Sequence, residues 1–443
     1  MPYRLILTSI ALAMLASAWA QDDQAGDDAG WDDDAWEESW DDDGAGQVFS
    51  GFVEGGLGSR LGTDALVGRA LTLQETRLRL ETQWDRDWGT IGLKADLLYD
   101  GIERELHGDF RDLTVAFSPA SSTDLKLGRQ VLTWGTGDLL FLNDLFPKDF
   151  VSFFSGRDDE YLKAPSNSVR ASYYGSAVNV DLAWTPVFTP DEYLTGERYA
   201  FFYPLAGTTV APEPPLGAIE PGATVANGEF ALRFFKTVRG VEYAAYAYRG
   251  FFKQPNAFEP SPPPGLAPPQ PTFAPLSAIG GSLRRTLGAG LINAEFSWYL
   301  SRDDRSGTDP FVPNDQVRLL LGYEREAVTN LTIAVQWYLE WTQDHDELLA
   351  NSPFSAFEPR ERRNVFTNRI NYRAMRDKLN LSLFTFFSPS DQDYYLRPQV
   401  GYRYSDSWTL SAGANLFGGR DNFTFFGQLE DASNVYARIR FNY

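Results

Sequence analysis

Residues 125–173 read LKLGRQVLTWGTGDLLFLNDLFPKDFVSFFSGRDDEYLKAPSNSVRASY and contain two kinds of pattern. At both ends apolar residues alternate with polar ones or glycine, as at Leu125 and Leu127, and this period of two predicts a β-strand before and after the segment. Residues 132–166 between them follow neither the strand period nor the helix period, yet they are rich in Leu and Phe. A connection this long and apolar needs a surface on which to bury, so we expect an insert with a defined role.

The strand period recurs along most of the chain from residue 47 onward. Clear examples are residues 78–84, 91–99, 178–184, 292–300, 331–341 and 408–416. Each predicted strand has about ten residues, the length that spans a lipid bilayer when the strand is tilted. Alternation alone also fits a half-buried strand of a soluble sandwich, but its repetition, with Trp and Tyr often at the segment ends, favours a membrane barrel.

Short connections alternate with long ones, with one exception near residues 388–392. This alternation is typical of barrels whose turns are tight on one side of a membrane and longer on the other. The sequence therefore predicts an all-β chain forming a transmembrane antiparallel up-and-down β-barrel of about 18 strands over 47–443, with 16 as the alternative count. Residues 132–166 would be its third outer loop, folded into the lumen as a constriction; the alternative is a short helical cap on another β-fold.

The N-terminal residues 1–20 have the features of a secretory signal peptide. Arg4 gives the positive start, an apolar stretch follows, and Ala18-Trp19-Ala20 is a small-x-small cleavage site. No later run approaches the 18 apolar residues of a membrane helix, so we expect none. The chain has no cysteine, which excludes disulfides and thiolate metal sites.

Residues 21–46 contain 12 acidic residues and no basic one, and we expect a disordered periplasmic tail. Trp31, Trp36 and Trp40 are unusual in such a segment. One interpretation is a docking segment for a periplasmic protein, and another is an unstructured leader. Weak Ca²⁺ binding by the Asp clusters is a third, although the spacing of an EF-hand loop is absent.

The last residues alternate up to a terminal aromatic, with Val435, Ile439, Phe441 and Tyr443 on one face. This ending is similar to the C-terminal signal of outer-membrane barrels that the barrel assembly machinery recognises. With the strand pattern, the Gly128-Arg129-Gln130 step that leads to Trp134-Gly135, and the large third loop, the chain resembles porin-like outer-membrane barrels of Gram-negative bacteria, including alginate-export-type channels. The resemblance implies a pore surrounded by outer-membrane lipid and lipopolysaccharide, and it identifies no solute.

Two positions conflict with a regular barrel. Pro398 lies inside a predicted strand, where it removes a ladder hydrogen bond, and we expect a β-bulge there. Arg129 falls on the apolar parity, where burial in lipid would cost about 2–4 kcal/mol. Either Gly128 marks a bulge or the strand has left the lipid at that point.

The residues that carry enzyme chemistry are scarce. His107 and His345 are the two histidines, and no nucleophile, base and orienting group can be assembled around them. Phosphate loops, dinucleotide motifs and zinc spacings are absent. The formal charge of −21 disfavours nucleic acid as a partner. The sequence therefore predicts no enzyme, no cofactor and no metal site.

If the apolar face points outward, the inward set holds more basic than acidic residues, and basic rings favour anions. The alternative is that these residues form cross-strand ion pairs in the wall. The predicted pore-lining residues are Arg77, Arg79, Lys94, Asp96, Lys126, Arg170, Arg318 and Arg403. The predicted polar and aromatic residues of the constriction are Trp134, Asp138, Asn143, Asp144, Arg157, Asp158 and Asp159.

Lys126 and Arg170 flank the insert in the sequence, so we expect both to face the narrow zone of the passage. The leading hypothesis is an outer-membrane channel for a small anionic solute. The alternative is an adaptor barrel that contacts a periplasmic export or lipid-transfer assembly through residues 21–46.

Overall fold

The computed structural model describes residues 49–259 and 269–443, so the predicted signal peptide and acidic tail lie outside the described residues. The described residues contain one antiparallel sheet of 18 strands and two short two-stranded sheets. All strands are numbered in chain order, and β8, β9, β12 and β13 are the short strands of the two small sheets. The 18 strands of the large sheet are β1 (Phe49–Arg60), β2 (Leu71–Arg86), β3 (Gly89–Asp100), β4 (Glu105–Ala120), β5 (Thr123–Val131), β6 (Pro165–Tyr174), β7 (Asn179–Thr185), β10 (Glu229–Val238), β11 (Val241–Phe251), β14 (Pro275–Leu287), β15 (Gly290–Ser301), β16 (Gln316–Val328), β17 (Leu331–Thr342), β18 (Arg362–Ala374), β19 (Leu379–Ser388), β20 (Asp393–Arg403), β21 (Trp408–Gly419) and β22 (Asn434–Asn442).

The large sheet is closed, because its first strand pairs with its last. β1 pairs with β2 on one side and with β22 on the other, from Phe52↔Asn442 to Arg60↔Asn434. A closed sheet has no edge, so the wall satisfies its own backbone hydrogen bonds. The prediction of an all-β antiparallel barrel with 18 strands is confirmed, and the count of 16 is wrong.

Short and long connections are segregated to the two ends of the barrel. At one end, which we call the turn end, consecutive strands are joined by two to four residues. At the other, the loop end, connections range from four residues at 101–104 and 389–392 to 43 residues at 186–228. The loops contain strands β8 (Phe201–Tyr203), β9 (Thr208–Val210), β12 (Ala257–Glu259) and β13 (Gln270–Thr272), helices α1 (Phe150–Ser155) and α2 (His345–Asn351), and 3-10 helices Asp159–Leu162, Val225–Asn227 and Gly427–Ala432.

Side chains alternate across the wall as the sequence pattern predicts. Apolar residues such as Leu78, Val335 and Phe366 are exposed on the outside. Arg79, which follows Leu78, and Gln336, which follows Val335, are buried on the inside. The outer face therefore suits lipid and the inner face is polar, as in membrane barrels. No helix of the described residues is long and apolar enough to cross a membrane.

The expectation of a bulge at Pro398 is wrong. β19 and β20 pair in unbroken register through Leu383↔Pro398. On the other side, the pairing of β20 with β21 stops after Leu396↔Leu416 and resumes at Gln399↔Gly413, with two residues on each strand between these pairs. The missing amide donor of proline therefore interrupts the ladder locally and leaves the register unchanged.

The pairing of β4 with β5 continues without a shift through Gly128 and Arg129, so a bulge at Gly128 is also wrong. Arg129 lies two residues from the loop end of β5, where its guanidinium pairs with Asp109 (2.8 Å) and donates to the carbonyl of Phe110 (2.7 Å). A register shift occurs instead on the other side of β4, in its pairing with β3, where Arg111 has no partner residue on β3. The ion pair explains how Arg129 is accommodated outside the wall.

Gly128 meets a strict backbone constraint. Its φ is +123°, and a Cβ atom at this position would lie 2.1 Å from the carbonyl oxygen of Leu113. We expect Gly128→Ala to lower the free energy of unfolding of the barrel by about 1–3 kcal/mol, because the clashing atom belongs to the paired backbone and cannot move aside without disturbing the sheet. Gly401→Ala is the control, since nothing lies within 4 Å of a Cβ atom there. Urea titration in detergent, read by the heat-modifiable shift on gels, measures the unfolding midpoint of each variant. Equal midpoints for the two variants would contradict the backbone constraint at Gly128.

Candidate channel lumen and its constriction

The third connection of the loop end, residues 132–164, is called the insert below. Its first part packs against inward-facing side chains of the wall. The Trp134 and Phe146 rings meet edge to face with centroids 5.0 Å apart, and both are buried. The wall residues of the same cluster include Ala183, Ala231, Tyr246, Ala278 and Tyr299. These residues come from five strands, so the apolar part of the insert covers one side of the interior.

A buried carboxylate on the wall holds the next part of the insert. Glu295 of β15 accepts hydrogen bonds from the Thr136 amide, from the Thr136 hydroxyl (2.9 Å) and from the Asn143 side chain (2.8 Å). Asn293 of the same strand donates to the carbonyl of Thr136 (2.6 Å). Because buried polar groups are costly when unpaired, this set fixes the position of the turn at Thr136.

Asp138 extends the contact to β18. Its carboxylate lies 2.7 Å from the Arg369 guanidinium, and its amide donates to the Gln336 side chain (3.3 Å). Burial raises the pKa of Asp138 to about 6, and the charge of Arg369 opposes the rise. The carboxylate is therefore ionised at neutral pH and protonated in mild acid.

Helix α1 packs against the opposite part of the wall. Asp149 caps it by accepting from the amide of Ser152 (2.7 Å). Phe153 and Phe154 both contact the ring of Tyr395, at 5.5 and 5.9 Å between centroids. Asn415 and Asn434 donate to the carbonyl of Phe154 (3.0 and 3.1 Å), which satisfies a carbonyl at the end of the helix.

The residues after α1 are joined to the wall by ion pairs. Asp158 pairs with Arg438 (3.0 Å) and Arg440 (3.2 Å), Asp159 with Arg397 (2.6 Å), and Glu160 with Arg79 (2.7 Å). The two arginines beside Asp158 hold the pKa of that carboxyl well below its usual range. Arg157 contacts Glu75 and Asp100 (3.0 Å for Asp100). The insert is therefore held at β2, β3, β20 and β22 as well as at β15 and β18.

Between these attachments the insert leaves a cavity of about 340 Å³ against strands β16 to β19. The wall contributes Arg318, Tyr338, Glu340, Arg363, Val365 and Phe386, and the insert contributes Leu139, Leu140, Phe141 and Phe153. Arg318 pairs with Glu340 (3.3 Å), Tyr338 donates to Glu340 (2.7 Å), and Arg363 pairs with Asp391 (2.7 Å). The insert also contributes Asp144 and Lys148, so charged side chains line the cavity from both sides.

A second cavity of about 460 Å³ lies among the loops. It is lined mostly by Phe, Tyr, Pro and Leu side chains. Five residues line both cavities, namely Phe150, Gln254, Asn256, Gln316 and Phe425. The two spaces are therefore adjacent, and together they lead from the loops to the interior beside the insert.

The structure divides the predicted pore-lining residues into groups. Arg77, Arg79 and Asp96 face inward but form one buried network, with Arg79 2.6 Å from Asp96 and Arg77 2.9 Å from it. The ring of Tyr161 in the insert lies under Arg77 at 3.9 Å and covers this network. Lys94 lies near Glu81 (3.4 Å) and is partly exposed.

Lys126 and Arg170 are register partners on β5 and β6. Lys126 pairs with Asp112 (2.8 Å) and Arg170 with Asp181 (3.2 Å), so both take part in cross-strand ion pairs. Neither residue lines either cavity. Lys126 lies five residues before the loop end of β5. Arg403 ends β20 at the turn end, and of the eight predicted residues Arg318 alone lines the cavity beside the insert.

Most of the predicted insert residues hold the insert in place. Trp134, Asn143, Asp138, Arg157, Asp158 and Asp159 do so through the contacts given above. Asp144 also lines the cavity, and its carboxylate pairs with Lys148 (2.9 Å) and accepts from Thr133 (2.8 Å). Sequence reasoning missed Arg363 and Arg369, although both alternate with the exposed Phe366 on β18 and could have been assigned to the inner face.

We expect Glu295→Ala to loosen the insert, because it removes the acceptor of three hydrogen bonds and leaves their buried donors unpaired, at about 1–3 kcal/mol per group. Single-channel recording should show larger and noisier conductance levels. The control is Glu242→Ala, which removes a carboxylate at the turn end of β11. Unchanged recordings for Glu295→Ala would mean that the insert does not depend on this anchor.

Within the described residues, no group of three or more His, Asp or Glu side chains could hold a metal ion. No protein-family model and no curated protein matches the chain. Solved structures do match. OccAB3 of Acinetobacter baumannii has a TM-score of 0.51 at 9% identity, over 90% of this chain and 99% of that one.

Two further solved structures show smaller similarity. OccK5 (OpdH) of Pseudomonas aeruginosa has a TM-score of 0.49 at 10% identity, over 90% of this chain and 97% of that one. A triple mutant of the Rhodopseudomonas blastica porin has a TM-score of 0.41 at 11% identity, over 90% of this chain and 100% of that one. At these identities the similarity concerns the fold, and the narrower resemblance to alginate-export-type channels stays a prediction. The described residues form a closed antiparallel barrel of 18 strands, and this fold is similar to that of OccAB3.

Proposed function

We propose that this chain is an outer-membrane channel that passes small anionic solutes. Its fold is that of bacterial outer-membrane porins, and its outer face is apolar around the barrel. In this proposal the turn end lies in the periplasm and the loop end faces outward. The insert narrows the lumen, and the solute passes beside it.

The observation that carries the proposal is the space left by the insert. A cavity of about 340 Å³ remains between the insert and strands β16 to β19, and it adjoins the cavity of about 460 Å³ among the loops. A barrel that served only as a membrane anchor would have no need of a passage that begins at the loops and reaches a charged wall.

The charge of the inner cavity supports anions as the solute. Its lining contains the basic residues Lys148, Lys253, Arg318 and Arg363 and the acidic residues Asp144, Asp191 and Glu340. The excess is one positive charge, and each of the four bases has an acidic partner. We therefore expect a modest preference for anions, set mainly by Arg318 and Arg363 on the wall.

The second candidate is an adaptor barrel that docks a periplasmic assembly through residues 21–46. It is supported by the composition of that segment, which lies outside the described residues. The two candidates differ in one measurable property. A channel conducts by itself in a planar bilayer, whereas an adaptor closed by its insert conducts only when its partner is bound.

We expect the purified protein to conduct in planar bilayers and to show a reversal potential on the anion side in a salt gradient. The double substitution Arg318→Gln with Arg363→Gln should move the reversal potential toward cations, because it removes two positive charges from the narrow zone. The control is Arg284→Gln with Arg285→Gln, which makes the same charge change at the turn end of β14. Absence of conduction would contradict the channel; an unmoved reversal potential would contradict anion selection by these arginines.

Acid should strengthen the anion preference. Burial raises the pKa of both Asp138 and Asp191 to about 6, against the charges of Arg369 at Asp138 and of Lys148 and Lys253 at Asp191. Lowering the pH from about 7.5 to about 5 should protonate both groups, which removes negative charge from the cavity lining at Asp191 and from the insert at Asp138. The reversal potential should then move further toward anions.

The double variant Asp138→Asn with Asp191→Asn should show a smaller change of reversal potential between the two pH values than the parent protein. The exposed Asp346 on helix α2 supplies the control, and Asp346→Asn should keep the full dependence on pH. A double variant that responds to pH as the parent protein does would show that other groups control the effect.

A further inference from the structure

Two arginines lie near each other on the outside of the wall, at the loop end of β11 and β15. Arg249 shares the outer face of β11 with Tyr243, which is 47% exposed, and Arg302 follows Ser301, the last residue of β15. Both arginines are exposed, and neither lines either cavity, so the proposed channel does not use them. We call them the outer arginine pair.

Strand pairing places the two arginines on either side of β14. Arg249 is the register partner of Ser277, and Ser277 is the partner of Leu300 on β15. The amide of Arg302 donates to the carbonyl of Pro275 (3.1 Å), two residues closer to the loops. Two strand spacings amount to about 10 Å. Because arginine side chains are long, both guanidinium groups can reach one ligand that lies over β14.

The outer arginine pair has no counter-charge in contact with it. Neither guanidinium forms an ion pair or a hydrogen bond with another described residue. Burial and the charge of Arg249 lower the pKa of Arg302, and the more distant charge of Asp303 opposes the fall. The two arginines therefore repel each other, and an anion between them would remove the repulsion.

Aromatic side chains place the outer arginine pair at the edge of the apolar band. Phe230 of β10 is the register partner of Arg249 on one side and of Trp184 on the other. The rings of Phe230 and Trp184 stack with centroids 6.1 Å apart, and Trp298 on the outer face of β15 is 39% exposed. Aromatic girdles mark the two membrane interfaces of outer-membrane barrels. The pair therefore lies at the level of the lipid headgroups.

The chemistry of the pair indicates which headgroup it fits. Guanidinium groups bind phosphate oxygens bidentately, and two of them can hold one phosphate from both sides. In the orientation of the proposed function the loop end faces outward, so the adjoining headgroups belong to the outer leaflet. Lipopolysaccharide is the main lipid of that leaflet, and its lipid A carries phosphates on its sugars at the headgroup level.

We propose that the outer arginine pair binds a phosphate of lipid A and thereby holds one lipopolysaccharide molecule on the face of strands β10 to β15. Ser277 lies between the two arginines and offers a hydroxyl group to the same phosphate. The acyl chains contact Phe230 and Trp298. The inference rests on the orientation in the proposed function, and it does not require conduction, because the pair lies outside the lumen.

The test measures lipid binding to the full chain in detergent by native mass spectrometry. The probe is diphosphorylated lipid A, and the comparison lipids are dephosphorylated lipid A and phosphatidylglycerol. We expect the protein to retain the probe several-fold more than either comparison lipid. Excess inorganic phosphate should leave most of the probe bound, because the acyl chains also contact the wall. Equal retention of phosphatidylglycerol, or complete displacement by inorganic phosphate, would overturn the proposal.

Charge removal supplies the specific evidence. Arg249→Gln with Arg302→Gln should lower the retention of lipid A several-fold. Arg285 and Arg325 are exposed on the outer face at the turn end, where they flank β15 as the outer arginine pair flanks β14. Arg285→Gln with Arg325→Gln makes the same charge change and should leave the retention unchanged. An equal loss in both variants would show attraction by overall charge and no site.

The heat-modifiable gel shift checks that each variant assembles. If the double variant does not, Arg302→Gln alone replaces it, because Arg302 lies outside the paired strands. Unchanged retention of lipid A in an assembled variant would overturn the site.

Planar-bilayer recording separates this inference from the channel. Arg249→Gln with Arg302→Gln should keep the conductance and the reversal potential of the parent protein while it loses lipid A. A parent protein that retains lipid A as expected yet does not conduct would contradict the channel and support the lipid site.

Discussion

The hydrogen-bonded pairing of β1 with β22 is the interaction on which the rest of the structure depends. It removes both edges of the sheet, so that the wall leaves no unpaired backbone row along its length. Closure also divides every strand into an outer and an inner set of side chains. The outer set is apolar. The inner set is rich in arginine and carboxylates, and anything placed inside the barrel has to match those charges.

The insert meets that requirement with charges of its own. Its residues Asp158, Asp159 and Glu160 face arginines of β22, β20 and β2. Burying such charges is costly, and removing one partner of a buried pair destabilises a protein by about 3–5 kcal/mol. The apolar residues Trp134, Phe146, Phe153 and Phe154 pack on the parts of the wall that offer alanine and aromatic side chains. The position of the insert therefore follows from complementarity on two sides, and the unfilled remainder is the cavity.

From the sequence, the face of the wall to which a side chain points could be predicted, but the groups that surround that side chain could not. Arg77, Arg79 and Asp96 face inward as alternation indicates, but Tyr161 covers them, and no local pattern encodes that contact. Pro398 removes a donor as expected, yet the register does not shift, because the neighbouring strand leaves the same number of residues unpaired. Arg363 and Arg369 could have been placed on the inner face from the position of Phe366, and this signal was overlooked.

The amino-acid sequence by itself determined the strand period, the alternation of short and long connections, and hence the closed all-β barrel, because each of these follows from neighbours along the chain. Tertiary structure alone decided which inward-facing charges meet solvent and which are buried. Lys126 and Arg170 are adjacent to the insert in the chain, yet the cavity lies against β16 to β19, far away in sequence. The reason is physical: the insert binds where distant strands offer matching charges and rings, and such matching has no period in the sequence.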